Sequence, residues 1–337
     1  MTVTRGSMHN SSPLAALNRA AASVLSPGHG WGRLSILIYH RVLPKPDPLW
    51  PDAIDVATFD AQLAALSQCF TVIPLHEALS RLQAGTLPAR AACITFDDGY
   101  ADNLHQALPI LQRHGLHATF FIASDYLDGG RMFNDTVIET LRQAAPGCYD
   151  LTDMGLSRYE LNGVPSRLAA IGEILSRVKY LGRLREREVT KLIDRFRVGH
   201  LPRNLMLTSE QLRAMHRVGM EIGGHTASHP MLAQLAAAAA EAEIQRGRAR
   251  LEQLLNAEVR LFAYPNGRPG IDYVYRDVEL VRKLDFMGAV STAWGTSTRR
   301  TDPYQLPRFQ PWAQHPPGFI FQLLHNLLRH RPDPALM

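Results

Sequence analysis

"TFDDGY", Thr95 to Tyr100, places two adjacent carboxylates at the end of an apolar run. The run, Ala91-Ala92-Cys93-Ile94-Thr95-Phe96, is short and uninterrupted, which is how a buried strand reads. Neighbouring carboxylates repel each other, and burying them is costly unless a cation lies close. Asp97 and Asp98 therefore call for a positive partner, and Gly99 supplies a position where the backbone can turn sharply.

Outward from this strand the pattern repeats. A helical stretch from about Asn103 to His114 ends at Gly115, and "ATFFIAS" from Ala118 is another apolar strand. Strand, helix, strand at this spacing is a βαβ unit and implies a parallel sheet. Upstream, "LSILIYHRV" from Leu34 reads as a strand. Phe59, Leu63, Leu66 and Phe70 mark a helix, Thr71-Val72-Ile73 a short strand, and Leu75 to Gly85 a further helix. Downstream, Thr208 and Gln211 stand at capping-box spacing before a helix. Strands follow at Met220–Gly224, Val259–Tyr264 and Met287–Thr292, separated by a long Ala-rich helix and a helix over Val274–Lys283. The expected fold class is α/β, a distorted (β/α) barrel of about seven strands with a helical insertion or cap at about 125–205. The expected division is an N-terminal helical extension (1–33), the barrel with its insertion (34–315), and a C-terminal helix and tail (316–337).

Composition excludes several classes. At 46% hydrophobic and 20% charged, the chain can bury a sizeable core. The net charge of +5 is spread out, with no basic block interleaved with aromatics, so nucleic acid is not expected as a partner. Cys69, Cys93 and Cys148 are too widely spaced for a disulfide framework or a C-x-x-C metal site. No apolar stretch is long enough to span a membrane. Asn18 and Arg19 interrupt the N-terminal apolar run, which reads as a short amphipathic helix closed by Ser26-Pro27-Gly28, with an unusual export signal as a weaker alternative. The location expected is cytoplasmic, with peripheral membrane association through this helix as the weaker alternative.

Four polar motifs follow predicted strands and fall on one rim: Tyr39-His40, Asp97-Asp98, His225 with His229, and Tyr264-Pro265-Asn266-Gly267. In "HTASHP", His225 and His229 are spaced so that one helical turn would face both imidazoles the same way. Thr226 follows His225 where a zincin helix would carry Glu. Two imidazoles and one carboxylate with open positions form a catalytic metal set. A divalent cation would relieve the carboxylate repulsion, with one Asp ligating and the other free as a base.

These motifs resemble those of the polysaccharide deacetylases, carbohydrate esterase family four, over about residues 34 to 310. "TFDDGY" is similar to the family's first motif, "HTASHP" to the second, "FAYPNG" to a variant of the third, and "LPRF" at 306–309 to part of the fourth. The resemblance implies that Asp98, His225 and His229 hold one divalent metal ion, usually zinc, and that Asp97 is the general base toward the attacking water. It also implies a backbone N–H of the Tyr264-Pro265-Asn266-Gly267 turn, that of Asn266, as the oxyanion donor. The family's third motif begins with an Arg that steadies the catalytic Asp. Here that position is Ala263, and Arg308 is the candidate to replace it, reaching Asp97 from another strand. The late His that serves the family as general acid has no convincing match, since Leu323-Leu324-His325 lies in a predicted helix. His40 is the candidate acid, with His315 unassigned. Trp294 and Trp312 are read as partial core plugs rather than sugar platforms, and Asp135 as a helix N-cap rather than a substrate contact or a part of the metal environment.

The expected function is metal-dependent N-deacetylation of an N-acetylated sugar in a bacterial polysaccharide or glycan precursor, releasing acetate. Two alternatives are a same-fold hydrolase of a small non-sugar amide or ureide, and a non-catalytic glycan-binding module.

Overall fold

The computed structural model of the chain describes residues 13–179, 181 and 185–329. Its strands in chain order are β1 (Ser35–Tyr39), β2 (Val42–Leu43), β3 (Ile54–Asp55), β4 (Thr71–Val72), β5 (Ala91–Phe96), β6 (Thr119–Ile122), β7 (Gly147–Asp150), β8 (Arg158–Leu161), β9 (Glu221–Gly224), β10 (Leu261–Ala263) and β11 (Gly288–Val290). Its helices are α1 (Pro13–Leu25), α2 (Val56–Cys69), α3 (Leu75–Ala84), α4 (Leu108–Arg113), α5 (Phe133–Gln143), α6 (Val164–Val178), α7 (Arg185–Arg195), α8 (Ser209–Arg217), α9 (Ala237–Leu255), α10 (Tyr275–Lys283) and α11 (Pro316–Leu328).

The main sheet is parallel, in the order β1-β5-β6-β9-β10-β11, with β4 also on β5. Strand ends align: Tyr39 pairs with Phe96, Ile122 with Gly224, and Ala263 with Val290. Residues following these strands therefore leave the sheet on one rim. The segment from Leu306 to Phe309 bridges Val290 at one end and Leu37 at the other, closing the ring between β11 and β1. The result is a curled, distorted barrel, as the strand–helix repeat predicts.

Both faces of the sheet are buried, so β1 and β5 carry no exposed residue. Leu37, Tyr39, Ile94, Phe96, Phe120 and Phe262 pack in one cluster with the outer helices. The alternate residues Ile36, Cys93, Phe121, Ala263 and Val290 form another with Leu75, Leu79 and Leu82 of α3. This period-two division explains the continuous apolar strands and the small residue at Cys93.

Three details differ from the sequence expectation. The helix after TFDDGY begins as a wide turn, Asn103–Ala107, in which the Leu108 N–H reaches the Asn103 carbonyl; Pro109 follows and cannot donate. The Ala-rich helix starts at Ala237, after a separate turn at Leu232–Gln234. The insertion is not all helical, since β7 and β8 form an antiparallel hairpin within it. Both strands are only four residues long: β7 is largely exposed, and β8 alternates exposed Arg158 and Glu160 with buried Tyr159 and Leu161 over too short a run to mark a strand by itself. The insertion has an apolar cluster of its own, including Val137, Leu141, Tyr159, Ile174 and Phe196. The Thr208–Gln211 capping box closes on α8 as expected. No helix among the described residues is long and apolar enough to cross a membrane.

Candidate active site

The two carboxylates of TFDDGY diverge through a three-residue turn. The Gly99 N–H donates to the Asp97 carbonyl at 3.0 Å, and Asp98 at its centre takes φ 76°. Gly99 follows at φ 94°, where a Cβ would press on the Ile122 side chain at 3.1 Å. Asp97 is 3% exposed and Asp98 6%, so each needs compensation.

Asp97 finds it in Arg308. Nη1 donates to Asp97 Oδ1 and Nη2 to Oδ2, both at 2.7 Å. The same guanidinium donates to the Ser291 carbonyl and to Thr95 Oγ1, which leaves it little freedom. Arg308 comes from the bridging segment that closes the barrel and not from a regular strand. Burial works to raise the Asp97 carboxyl, and the charges of Arg308 and His225 with the Arg308 hydrogen bonds outweigh it, holding the group below its ordinary range.

The "HTASHP" loop follows β9. The one-turn-of-helix geometry expected for His225 and His229 is not adopted. Thr226 and His229 take φ of 63° and 55°, and the ring centroids come within 4.7 Å across a non-helical loop. The loop is gripped by α9. The Ala227 N–H donates to the Glu243 carbonyl, and Ser228 donates to the Glu243 carboxylate through its N–H and its hydroxyl. Gly247 brings the helix so close that a Cβ there would lie 2.5 Å from the Thr226 carbonyl. Backbone strain thus gathers here: of the ten non-glycine residues with positive φ among those described, Asp98, Thr226, His229 and Asn266 surround one site.

Asp98, His225 and His229 offer donor atoms that all lie within 4.8 Å of one another. Asp98 Oδ1 is 3.5 Å from His225 Nε2 and 3.4 Å from His229 Nε2. These distances are long for hydrogen bonds, and Oδ1 is buried without a hydrogen-bond partner. They match the edge of a zinc tetrahedron, for which donors about 2.1 Å from the ion lie about 3.4 Å apart. His225 Nδ1 meets the Ala263 carbonyl at 2.7 Å. A carbonyl only accepts, so Nδ1 carries a proton, and in the neutral imidazole Nε2 then presents its lone pair. Burial raises the Asp98 carboxyl, while His225 and His229 outweigh it and keep the group ionised well below its ordinary range. The donor set fits a divalent cation.

Asp97, Asp98, His225, His229, His40 and Asn266 line one cavity of about 380 Å³. Tyr264 and Pro265 do not line it. The Tyr264 hydroxyl donates to the Tyr304 carbonyl, and its ring stacks on Tyr273 in the core. Asn266 takes φ 59°, and its buried Nδ2 has no hydrogen-bond partner. His315 caps α11 and His325 stacks on exposed Phe321; neither lines the cavity. Trp294 is partly buried against the core with Trp312 stacked on it at 4.7 Å, and Trp312 is 57% exposed.

Asp135 is not the N-cap of α5. Met132 holds that position, and Asp135 is buried in the first turn with both carboxylate oxygens lacking hydrogen bonds. Burial above all, opposed by Arg41 and reinforced by Asp98, raises its carboxyl to about 7. Sequence reasoning also passed over the cavity wall beside it. Arg41 lies over the rings of Trp50 and Tyr100, bonds Asp102 at 2.7 Å and sits 3.8 Å from Asp135. Asp102, just beyond TFDDGY, was the available signal.

Against known proteins, the profile described as "Polysaccharide deacetylase" matches residues 84–287, more than half of the chain. A curated Bacillus subtilis (strain 168) relative, "Putative polysaccharide deacetylase YxkH", is 26% identical over 141 residues. That match covers 39% of this chain and 46% of the relative, so the chain matches about half of the relative's length. Among solved structures, the Streptococcus pyogenes deacetylase PplD in complex with acetate is 20% identical, with a TM-score of 0.58 over 88% of this chain and 98% of that one. IcaB from Ammonifex degensii is also 20% identical, with a TM-score of 0.56 over 89% and 97%. The structural likenesses carry the fold, and the profile match carries the family: the chain belongs to the polysaccharide deacetylase family.

Proposed function

We propose that this chain is a metal-dependent N-deacetylase that hydrolyses the acetamide of an N-acetylated sugar in a bacterial polysaccharide or glycan precursor. The observation that carries this reading is the placing of Asp98 Oδ1 at a tetrahedral-edge distance from both His225 and His229, beside an Arg308-clamped Asp97 in the same cavity. Residues 34–315 form the catalytic barrel in this reading. The insertion caps it, supplying Phe133, Asn134 and Lys179 to the cavity wall.

The cation held by Asp98, His225 and His229, zinc in the first instance, would polarise the acetamide carbonyl and acidify the attacking water. Asp97 accepts the water's proton on an oxygen already fixed by Arg308, and this clamp trades some basicity for a carboxylate that starts ionised near neutral pH and is held in place. In this reading the Asn266 N–H, in a left-handed turn beside the cavity, is the donor to the developing oxyanion. His40, on the same rim as Asp97 and Asp98, protonates the departing amine. Acetate and a free amino sugar leave.

The test is acetate release from N-acetylglucosamine oligomers by zinc-loaded protein, with Asp97→Asn as control. Hydrolysis of small cyclic amides in place of the sugars would move the reading to a small-amide hydrolase, which the variant "FAYPNG" turn leaves open. Glycan binding without turnover would make it a binding module.

A further inference from the structure

Large apolar side chains are normally exposed singly and at random. Here they gather. Of the eleven exposed large hydrophobics among the described residues, six lie on α1, the link after it, and α11: Leu14, Leu17, Val24, Trp31, Phe321 and Leu328. Leu17 is 66% exposed, Val24 80%, Trp31 85% and Phe321 69%. The helices pack on each other and on α2, and the Arg33 guanidinium ties them by donating to the Leu327 carbonyl. Ala15 and Ala22 face inward on α1, as do Phe319, Leu323 and Leu327 on α11. Leu14, Leu17 and Val24 then form one outward stripe, and Phe321 and Leu328 another.

The charge around these stripes has one sign. Segments 13–33 and 303–329 contain no Asp or Glu, although the chain has 31 such residues. They carry Arg19, Arg33 and Arg329 near the apolar stripes. The single acid of the adjoining α2, Asp60, is taken up by Arg113 and His114 at 2.7 Å each. We infer that the α1/α11 face is a peripheral docking surface for an anionic lipid bilayer, with the Leu, Phe and Trp side chains entering the headgroup boundary and the arginines meeting lipid phosphates.

Charge complementarity selects this occupant. Two copies of the face brought together would set arginine against arginine with no carboxylate to pair them. An anionic bilayer offers an apolar layer beneath a negative rim, which matches the mixture of groups on the helices. Pro311 lines the cavity and α11 starts at Pro316, so docking this helix would hold the cavity close to the membrane surface. The inference does not depend on the deacetylase reading.

The test is co-sedimentation of the full chain with vesicles of phosphatidylcholine alone and with roughly 30% phosphatidylglycerol. Binding is expected to the anionic vesicles, weakened at about 0.5 M salt and reduced at least about tenfold by Leu17→Ser with Phe321→Ser. Val24→Ser with Leu328→Ser should act alike, which guards against a fold defect in one pair, while Val218→Ser, at exposed Val218 just after α8, should leave binding intact. Absence of vesicle binding would overturn the inference, as would binding that both double variants retain. So would a dimer in solution that the same substitutions dissolve, which would give the face to a second copy of the chain.

Discussion

Arg308 and Asp97 meet through two parallel hydrogen bonds of 2.7 Å across 211 residues of chain. The pair is almost wholly buried, so each charge depends on the other for its solvation. It also ties the segment that closes the barrel to the strand that carries the Asp97-Asp98-Gly99 turn.

Arg308→Met should therefore cost about 3–5 kcal/mol, because it leaves a buried carboxylate unpaired. The folded Asp97 group lies below its ordinary value, so the pair's contribution is present above about pH 4 and fades as the pH falls further. The gap between wild type and variant should narrow in acid, as read by urea unfolding of metal-free protein at several pH values. A constant gap would mean that packing, not charge, explains the loss.

His229→Ala removes one of three donors. Zinc content per chain should fall from stoichiometric to near zero in dialysed protein, and affinity by more than about a hundredfold. The rise in melting temperature on adding zinc should vanish with it. Elemental analysis and thermal unfolding read both outcomes independently of any substrate.

Gly247→Ala should disturb the site without touching it. A Cβ would lie 2.5 Å from the Thr226 carbonyl, so α9 must move away from the loop that spaces His225 and His229. The expected cost is about 1–3 kcal/mol, together with weaker zinc binding. Zinc titration of a variant that is folded by circular dichroism separates the two effects.

Asp135 has a folded value of about 7 against an ordinary value near 4. Between those values the native state keeps a proton that the unfolded chain has released, so this group makes stability fall as the pH rises through that window. Asp135→Asn should flatten that slope, by up to about 4 kcal/mol across the window. Unfolding of the metal-free protein from about pH 4 to 8 would measure it; an unchanged slope would show that Arg41 satisfies the carboxylate.

Much of this arrangement was legible in the residues. Continuous apolar runs such as Ala91–Phe96 marked strands buried on both faces, and glycines and capping pairs such as Thr208 with Gln211 marked where helices turn. The motifs at Asp97-Asp98 and at His225 with His229 were visible because parallel strands deliver every following residue to the same rim. Burial patterns and turn chemistry are local properties, and local properties are written in short stretches of chain.

The remainder depended on contacts that no short stretch contains. The left-handed turns at Asp98, Thr226 and His229 carry ordinary side chains and persist because α9 and the neighbouring strand hold them. The direction of Tyr264 into the core, the buried carboxylate of Asp135 facing Arg41 and the hairpin of β7 and β8 each follow from what lies opposite them in space. Strain and the burial of charge are stabilised by distant partners, and those partners meet only once the barrel has closed.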